Sequence, residues 1–222
     1  MQWHDLAFLH WPVSADRLRQ FIPAGLELQT FDGWAWLGVV PFYMRGVRAR
    51  CLPPVPGISA FAELNLRTYV VAGDKPGVWF LSLDAASRLA VRGARLTFYL
   101  PYFDARMNVT RDADAIDYSS TRSEQPRCEF RARYRPVGEV FHAVPGSIEH
   151  WLTERYCLYS ADPRGRIYRG EIHHCPWPLQ AAECRIEANT LASQWSIELS
   201  ANPPLVHFSR RIDAVAWYRV RV

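Results

Sequence analysis

The chain has 222 residues, of which 49% are hydrophobic and 14% aromatic, so it can bury a sizeable core as one β-rich domain spanning residues 1–222. Its formal net charge of +4 comes from arginines interleaved with acidic residues, a pattern that disfavours nucleic-acid binding. The N-terminus lacks the pattern of a signal peptide, no segment has the length of a membrane span, and the five cysteines form no C-x-x-C pair. We therefore expect a cytoplasmic protein with reduced cysteines and no membrane association.

The first half of the chain predicts one short helix and a series of strands. Ser14 can cap a helix over 15–22, which Pro23 ends. His4 and His10 precede it in a first strand, with no nucleophile placed beside them. Period-two alternation predicts further strands over 26–29, 34–44, 61–71 and 78–83, with a hairpin turn at 73–77. The prolines of 51–57 predict an extended loop that could border a site.

The second half continues in the same way. An apolar face predicts a helix over 84–96, ended by the Leu-Pro pair at 100–101, and Gly146-Ser147 opens a helix that runs to 156. Antiparallel strands are predicted over 104–110, 115–121, 128–135, 167–173, 181–187, 206–211 and 214–220.

The strand over 61–69 carries the most suggestive polar pattern. Alternation places Glu63, Asn65, Arg67 and Tyr69 on one face and apolar residues on the other. These four side chains could line a lumen that binds a polar ligand, with Arg67 holding a carboxylate through its two-pronged donor geometry. The same pattern is also that of an ordinary solvated strand face, so both interpretations stay open.

A second cluster follows at residues 169–180. His173 and His174 precede Cys175, which invites a metal interpretation, but adjacent strand residues point to opposite faces and prolines turn the chain away at once. We therefore predict no metal site and no cofactor. One of the two histidines, with Trp177 and Gln180, could instead line an organic ligand pocket. The segment 154–159 could add a carboxylate and phenols, although a salt bridge and core tyrosines are the simpler interpretation.

Several catalytic signatures are missing from the sequence. It has no G-x-S-x-G elbow, no phosphate-binding glycine loop, no dinucleotide fingerprint and no H-E-x-x-H motif. It also has one lysine, Lys75, in the predicted hairpin turn. Chemistry that needs an amine nucleophile is therefore disfavoured.

Blocks of residues along nearly the whole chain resemble the YqjF-like family, a group of bacterial proteins with a domain of unknown function. The resemblance rests on residues 10–13, 22–25, 40–42, 61–69, 77–84, 100–103, 154–156, 173–180 and 207–208.

The order of features is also similar to the acetoacetate decarboxylase superfamily. Three segments carry this second resemblance: 16–28, Glu63 with the Leu-Asp pair at 83–84, and 90–103. It implies an α+β, β-rich fold, a cone-like antiparallel β-barrel with a few flanking helices and a buried pocket. Those decarboxylases form a Schiff base on the first of two adjacent lysines, and the resemblance assigns Tyr102 and Phe103 to these positions. A phenol cannot condense with a ketone, so imine-forming decarboxylation is not expected.

Two functional hypotheses follow. The first is a pocket for a small carbonyl or carboxylate compound, either binding it or acting on it by acid/base chemistry that needs no lysine. Its candidate residues comprise Tyr102, Glu63 and His174 as catalytic groups, and Asn65, Arg67, Tyr69, Arg95, His173, Trp177 and Gln180 as ligand-binding groups. The second is a non-catalytic ligand sensor or a structural protein that forms homo-oligomers.

Overall fold

The computed structural model describes residues 1–48, 53–55 and 59–222. Three short helices, α1 (Ala15–Arg19), α2 (Arg88–Phe98) and α3 (Ile148–Thr153), accompany a 3-10 turn at Ser193–Trp195. The strands are β1 (Gln2–Val13), β2 (Glu27–Leu28), β3 (Ala35–Arg45), β4 (Phe61–Ala72), β5 (Lys75–Ala85), β6 (Tyr102–Asp112), β7 (Ala115–Arg122), β8 (Glu129–Phe141), β9 (Cys157–Ala161), β10 (Ile167–His174), β11 (Leu179–Asn189), β12 (Leu205–Ala216) and β13 (Val220–Arg221).

The described strands form one sheet that curls back on itself. Their order is β13-β10-β9-β5-β6-β7-β8-β11-β12-β1-β3-β4-β2, and β4 also pairs with β5 while β10 also pairs with β12. The β1 strand lies between β3 and β12, and the amino group of Met1 donates to the carbonyl oxygen of Ala214 at 3.0 Å. Several closing ladders contain only two or three residue pairs. The barrel is therefore only partly closed.

Strands β1, β3 and β4 lie between two buried regions of the protein. Alternate residues of each strand point to opposite faces of the sheet, so each strand contributes side chains to both regions. One face packs into the large core, which includes Leu9, Leu37 and Leu64 and receives Tyr118 and Phe130 from β7 and β8. The opposite face belongs to two smaller apolar clusters, and Tyr102 packs against both.

We call the region on that opposite face the second compartment. Its apolar boundary includes Phe8, Val40, Tyr69, Leu152 and Trp177. Leu152 comes from α3, so this helix forms part of the cover.

Most predicted elements are present, and the differences lie at their ends. The predicted strand over 78–83 begins earlier, at Lys75, so the hairpin turn is the tighter Gly73-Asp74. The helix predicted over 84–96 begins at Arg88, because residues 83–85 extend β5 and pair with the start of β6. Ser87 caps this helix by accepting a hydrogen bond from the amide of Ala90.

Near the C-terminus the differences are larger. The helix predicted to reach residue 156 ends at Thr153, and a strand absent from the predictions, β9, follows it. The strand predicted over 214–220 is divided between the end of β12 and the short β13. The predicted extended loop at 51–57 falls largely outside the described residues. Within the described ranges, no helix is both long enough and apolar enough to cross a membrane.

Candidate functional site

The polar face predicted for β4 is directed into the second compartment. Glu63, Asn65 and Tyr69 are buried and Arg67 is half-buried. A β-bulge in the pairing with β5 falls between Leu66 and Arg67. The solvated-face interpretation is therefore wrong for this strand, since water does not reach most of the row.

Glu63 and Tyr102 form one end of the row. The Tyr102 hydroxyl donates to Oε2 of Glu63 at 2.9 Å, and the Tyr118 hydroxyl donates to the Glu63 carbonyl oxygen at 2.7 Å. Burial raises the pKa of Glu63 to about 8, although the hydrogen bond from Tyr102 opposes the rise. Burial, reinforced by the Glu63 charge, also raises the pKa of Tyr102 well above its usual value. At neutral pH the pair is therefore mostly uncharged and can donate a proton to a bound oxygen.

His10 and Tyr69 form the other end. His10 Nε2 and the Tyr69 hydroxyl are 2.7 Å apart, and both side chains are fully buried. Gly38 makes this pair possible, because a Cβ there would lie 3.0 Å from His10 Nε2. Burial, followed by the positive charge of Arg67, lowers the pKa of His10 well below its usual value. The imidazole is therefore neutral.

Arg67 lies between these two ends. One of its terminal nitrogens, Nη2, donates to the carbonyl oxygen of Leu152 at 3.3 Å, and its guanidinium carbon lies 5.5 Å from the ring centre of Phe8. Among the described residues Arg67 makes no ion pair within 4.0 Å. Its charge is therefore available to an anionic ligand.

Several buried polar atoms of this region have no hydrogen-bond partner among the described residues. They include Oδ1 of Asn65, Nε of Arg67, and Nδ1 of both His10 and His207. His207 is buried on β12 opposite Phe8, and burial lowers its pKa. Buried polar groups in proteins are nearly always hydrogen-bonded, so this arrangement suits a polar small molecule.

His174 and Trp177 add an aromatic wall to the same interior. His174 is buried, its Nδ1 donates to the carbonyl oxygen of Cys175 at 2.7 Å, and its ring centre lies 4.9 Å from that of Trp177. Trp177 in turn packs edge-on against Phe8 at 4.9 Å. Burial lowers the pKa of His174. Of the two adjacent histidines, His174 is therefore the one that faces inward.

The other predicted site residues lie elsewhere. His173 is exposed beside Trp217, and Gln180 donates to the carbonyl oxygen of Gly138 at 2.9 Å. Arg95 is exposed, donates to the Tyr102 carbonyl oxygen at 2.6 Å and pairs with Glu124. These three side chains are not brought together with the β4 row.

Sequence reasoning missed His10 and His207 as part of this site. Both occupy ordinary strand positions, on β1 and β12, and only the pairing of these strands brings them to β4. A shallow external groove, lined by Phe21, Trp79 and Trp195 among others, contains none of the predicted site residues. In the described part of the chain, no group of three or more histidine, cysteine or acidic side chains is arranged to hold a metal ion.

Lys75 stands at the opposite end of β5 from Tyr102. It is exposed and pairs with Glu171 at 3.3 Å, whereas Tyr102 pairs with Leu83. Eight residues of strand separate the two positions, or about 26 Å at about 3.3 Å per residue.

The architecture belongs to a recognisable class, that of acetoacetate decarboxylase-like folds. The enduracididine biosynthesis enzyme MppR superposes with a TM-score of 0.69 at 14% identity, covering 100% of this chain and 88% of that chain. An acetoacetate decarboxylase-like enzyme from Sphingomonas wittichii RW1 gives the same TM-score and identity, covering 100% of this chain and 91% of that one. MppR has also been solved in complex with pyruvate. These likenesses confirm the predicted fold class.

Sequence similarity then shows the family. Residues 1–213 match the DUF2071 family, described as "Uncharacterized conserved protein". The chain is also 47% identical over 215 residues to "Uncharacterized protein YqjF" of Bacillus subtilis (strain 168), covering 97% of this chain and 88% of that protein. The chain belongs to the DUF2071 family, and the predicted resemblance to YqjF is confirmed.

Proposed function

We propose that the second compartment binds a small carboxylate that also carries a carbonyl group. The carboxylate contacts Arg67, and the carbonyl oxygen accepts a hydrogen bond from the Glu63 and Tyr102 pair. The observation that carries the proposal is the arrangement, on one face of β4, of Arg67, which has no acidic partner among the described residues, and of Glu63, whose raised pKa and hydrogen bond from Tyr102 of β6 make an uncharged carboxyl-phenol pair. Asn65, between them on β4, offers its unpartnered Oδ1 to a hydroxyl or enol of the ligand.

The spacing along β4 sets the distance that the ligand and the two side chains must span together. Residues 63 and 67 are four positions apart, or about 13 Å at about 3.3 Å per residue. The complex of MppR with pyruvate also supports a keto acid, as an analogy from a fold neighbour.

The proposed chemistry requires no lysine. Tyr102 takes the position that the family resemblance assigns to the Schiff-base lysine, and Lys75 is remote from it. Tyr102 can polarise the carbonyl by donating a hydrogen bond to it, and Glu63 can give its proton to the carbonyl oxygen and then take the proton from the adjacent carbon. The ligand is thereby converted from keto to enol with no net change in the protein. No covalent bond to the protein is needed for this step.

Calorimetric titration with matched ligands tests the proposal. We expect pyruvate and 2-oxobutyrate to bind, and butyrate, which lacks the carbonyl, to bind more weakly. Arg67→Gln should weaken all three acids by about tenfold to a hundredfold, the usual worth of a charge-assisted hydrogen bond. Tyr102→Phe should remove the preference for the keto acids, and the exposed Arg185→Gln serves as the control.

Two further readouts separate catalysis from sensing and probe the lysine. Deuterium exchange next to the ligand carbonyl, followed by NMR, would indicate an enzyme, whereas binding without exchange would favour the sensor. Borohydride treatment with pyruvate should leave Lys75 unmodified by mass spectrometry. If none of the acids binds the wild type, or if Arg67→Gln binds them as the wild type does, the assignment of this site is wrong.

A further inference from the structure

Arg155 is a second buried arginine beside the same compartment. It lies between α3 and β9 with 8% of its surface exposed. Its Nε donates to the carbonyl oxygen of Trp151 and its Nη1 donates to Oε1 of Gln29, each at 2.6 Å. Its remaining nitrogen, Nη2, is buried with no hydrogen-bond partner in the described protein.

Arg155 and Arg67 converge on one place. They donate to the consecutive carbonyl oxygens of Trp151 and Leu152 at the C-terminal end of α3. Their guanidinium carbons lie 5.1 and 5.8 Å from the ring centre of Tyr69, respectively. Burial, with a further contribution from the positive charge of Arg67, lowers the pKa of Arg155 to about 10. Arg155 is therefore charged at neutral pH.

The protein places little negative charge beside these two arginines. Within the ranges that the structure describes, neither arginine has a carboxylate within 4.0 Å. The C-terminal end of α3 contributes at most about half of a negative elementary charge, through the helix dipole. Buried charges without partners are costly, so two adjacent cations of this kind are expected where an anion binds.

We propose that Arg155 and Arg67 together bind a group carrying two negative charges, either a dicarboxylate or a phosphate. Nε of Arg67 and Nη2 of Arg155 are the free donors that contact it. The proposal rests on the proposed ligand compartment and narrows its ligand to a keto acid with a second anionic charge. It does not depend on Glu63 or Tyr102.

Dianions and monoanions at matched ionic strength provide the test. We expect malonate, succinate and phosphate to raise the melting temperature of the wild-type protein more than acetate or chloride does. Titration calorimetry should show a loss of at least tenfold in dianion affinity for Arg155→Gln and for Arg67→Gln. Arg185→Gln, an exposed replacement with the same change of charge, should bind as the wild type does. The best of the three dianions distinguishes a dicarboxylate from a phosphate site.

The alternative is that Arg155 only stabilises the end of α3. In that case Arg155→Gln lowers the melting temperature without anions, while the wild type shows no preference for dianions, and the proposal is overturned. Because Arg155→Gln could unfold the protein, the half-buried Arg67→Gln supplies the same test independently. If monoanionic keto acids bind, require Arg67, and bind as tightly as dianions do, this inference is overturned and the proposed function is not. If dianions still bind to Tyr102→Phe, and the wild type shows no preference for keto acids, the proposed function is overturned and this inference is not.

Discussion

Replacing Glu63 by glutamine should change how the stability of the protein depends on pH. The folded-state pKa of about 8 lies above the usual 4.5 of a glutamic acid. Between these values the folded chain holds a proton that the unfolded chain releases, so the free energy of unfolding falls as pH rises. The slope is about 1.4 kcal/mol per pH unit and the total about 5 kcal/mol. Below pH 4.5 this loss is absent.

The variant Glu63→Gln has no such proton, so it should become progressively more stable relative to the wild type from about pH 5 to about pH 8. Tyr102 stays protonated over this range, because its pKa is raised further still. Urea unfolding followed by tryptophan fluorescence at pH 5, 6, 7 and 8 measures the difference. Glu27→Gln, an exposed carboxyl on β2, is the matched control and should follow the wild type. A difference between Glu63→Gln and the wild type that stays constant over these pH values would refute the reasoning.

Two further predictions concern packing and a buried ion pair. Gly38→Ala should lower the free energy of unfolding by about 1 to 3 kcal/mol, because its Cβ would lie 3.0 Å from His10 Nε2. Gly93→Ala, with nothing within 4 Å of the added Cβ on α2, should instead gain up to about 1 kcal/mol. Asp84→Asn should cost about 3 to 5 kcal/mol, because Arg122 would lose the buried carboxylate that it contacts at 2.8 Å. Adding Arg122→Met to that variant should recover part of the loss.

Chemical denaturation measures all of these variants. If Gly38→Ala is as well tolerated as Gly93→Ala, His10 does not pack against Gly38 as the structure shows. If the double variant of Asp84 and Arg122 is less stable than Asp84→Asn alone, the arginine is held by contacts other than its carboxylate.

The sequence predicted most of the local structure, that is, the strands, the helices and the faces of the strands. It predicted few of the contacts between residues that are far apart along the chain. Alternation on β4 identified the row from Glu63 to Tyr69, since strand periodicity depends only on neighbouring residues. The resemblance of 100–103 to a lysine loop directed attention to Tyr102, which does contact Glu63. No local pattern assigned His10 and His207 to the site, because only the pairing of strands from opposite ends of the described chain brings them to β4.

The missed strand β9 has a similar explanation. Its five residues are too few for a clear pattern. It pairs antiparallel with the neighbouring β10 and parallel with Val78 and Trp79 of the distant β5. Gly77 allows this close approach, because a Cβ there would lie 2.7 Å from Sγ of Cys157. Such a fit between segments about 80 residues apart leaves no periodic signal.

The pairing of β1 with β12 imposes an order on folding during synthesis. Their pairs join residues as far as 211 positions apart, Gln2 with Asp213, so β1 cannot complete its pairing until nearly all of the described chain has been made. Until then the edge of β1 that will pair with β12 is open, and the apolar residues beside it are exposed to other chains. Nascent protein should therefore depend on chaperones until β12 is released, and interruption of synthesis before residue 205 should yield aggregating fragments.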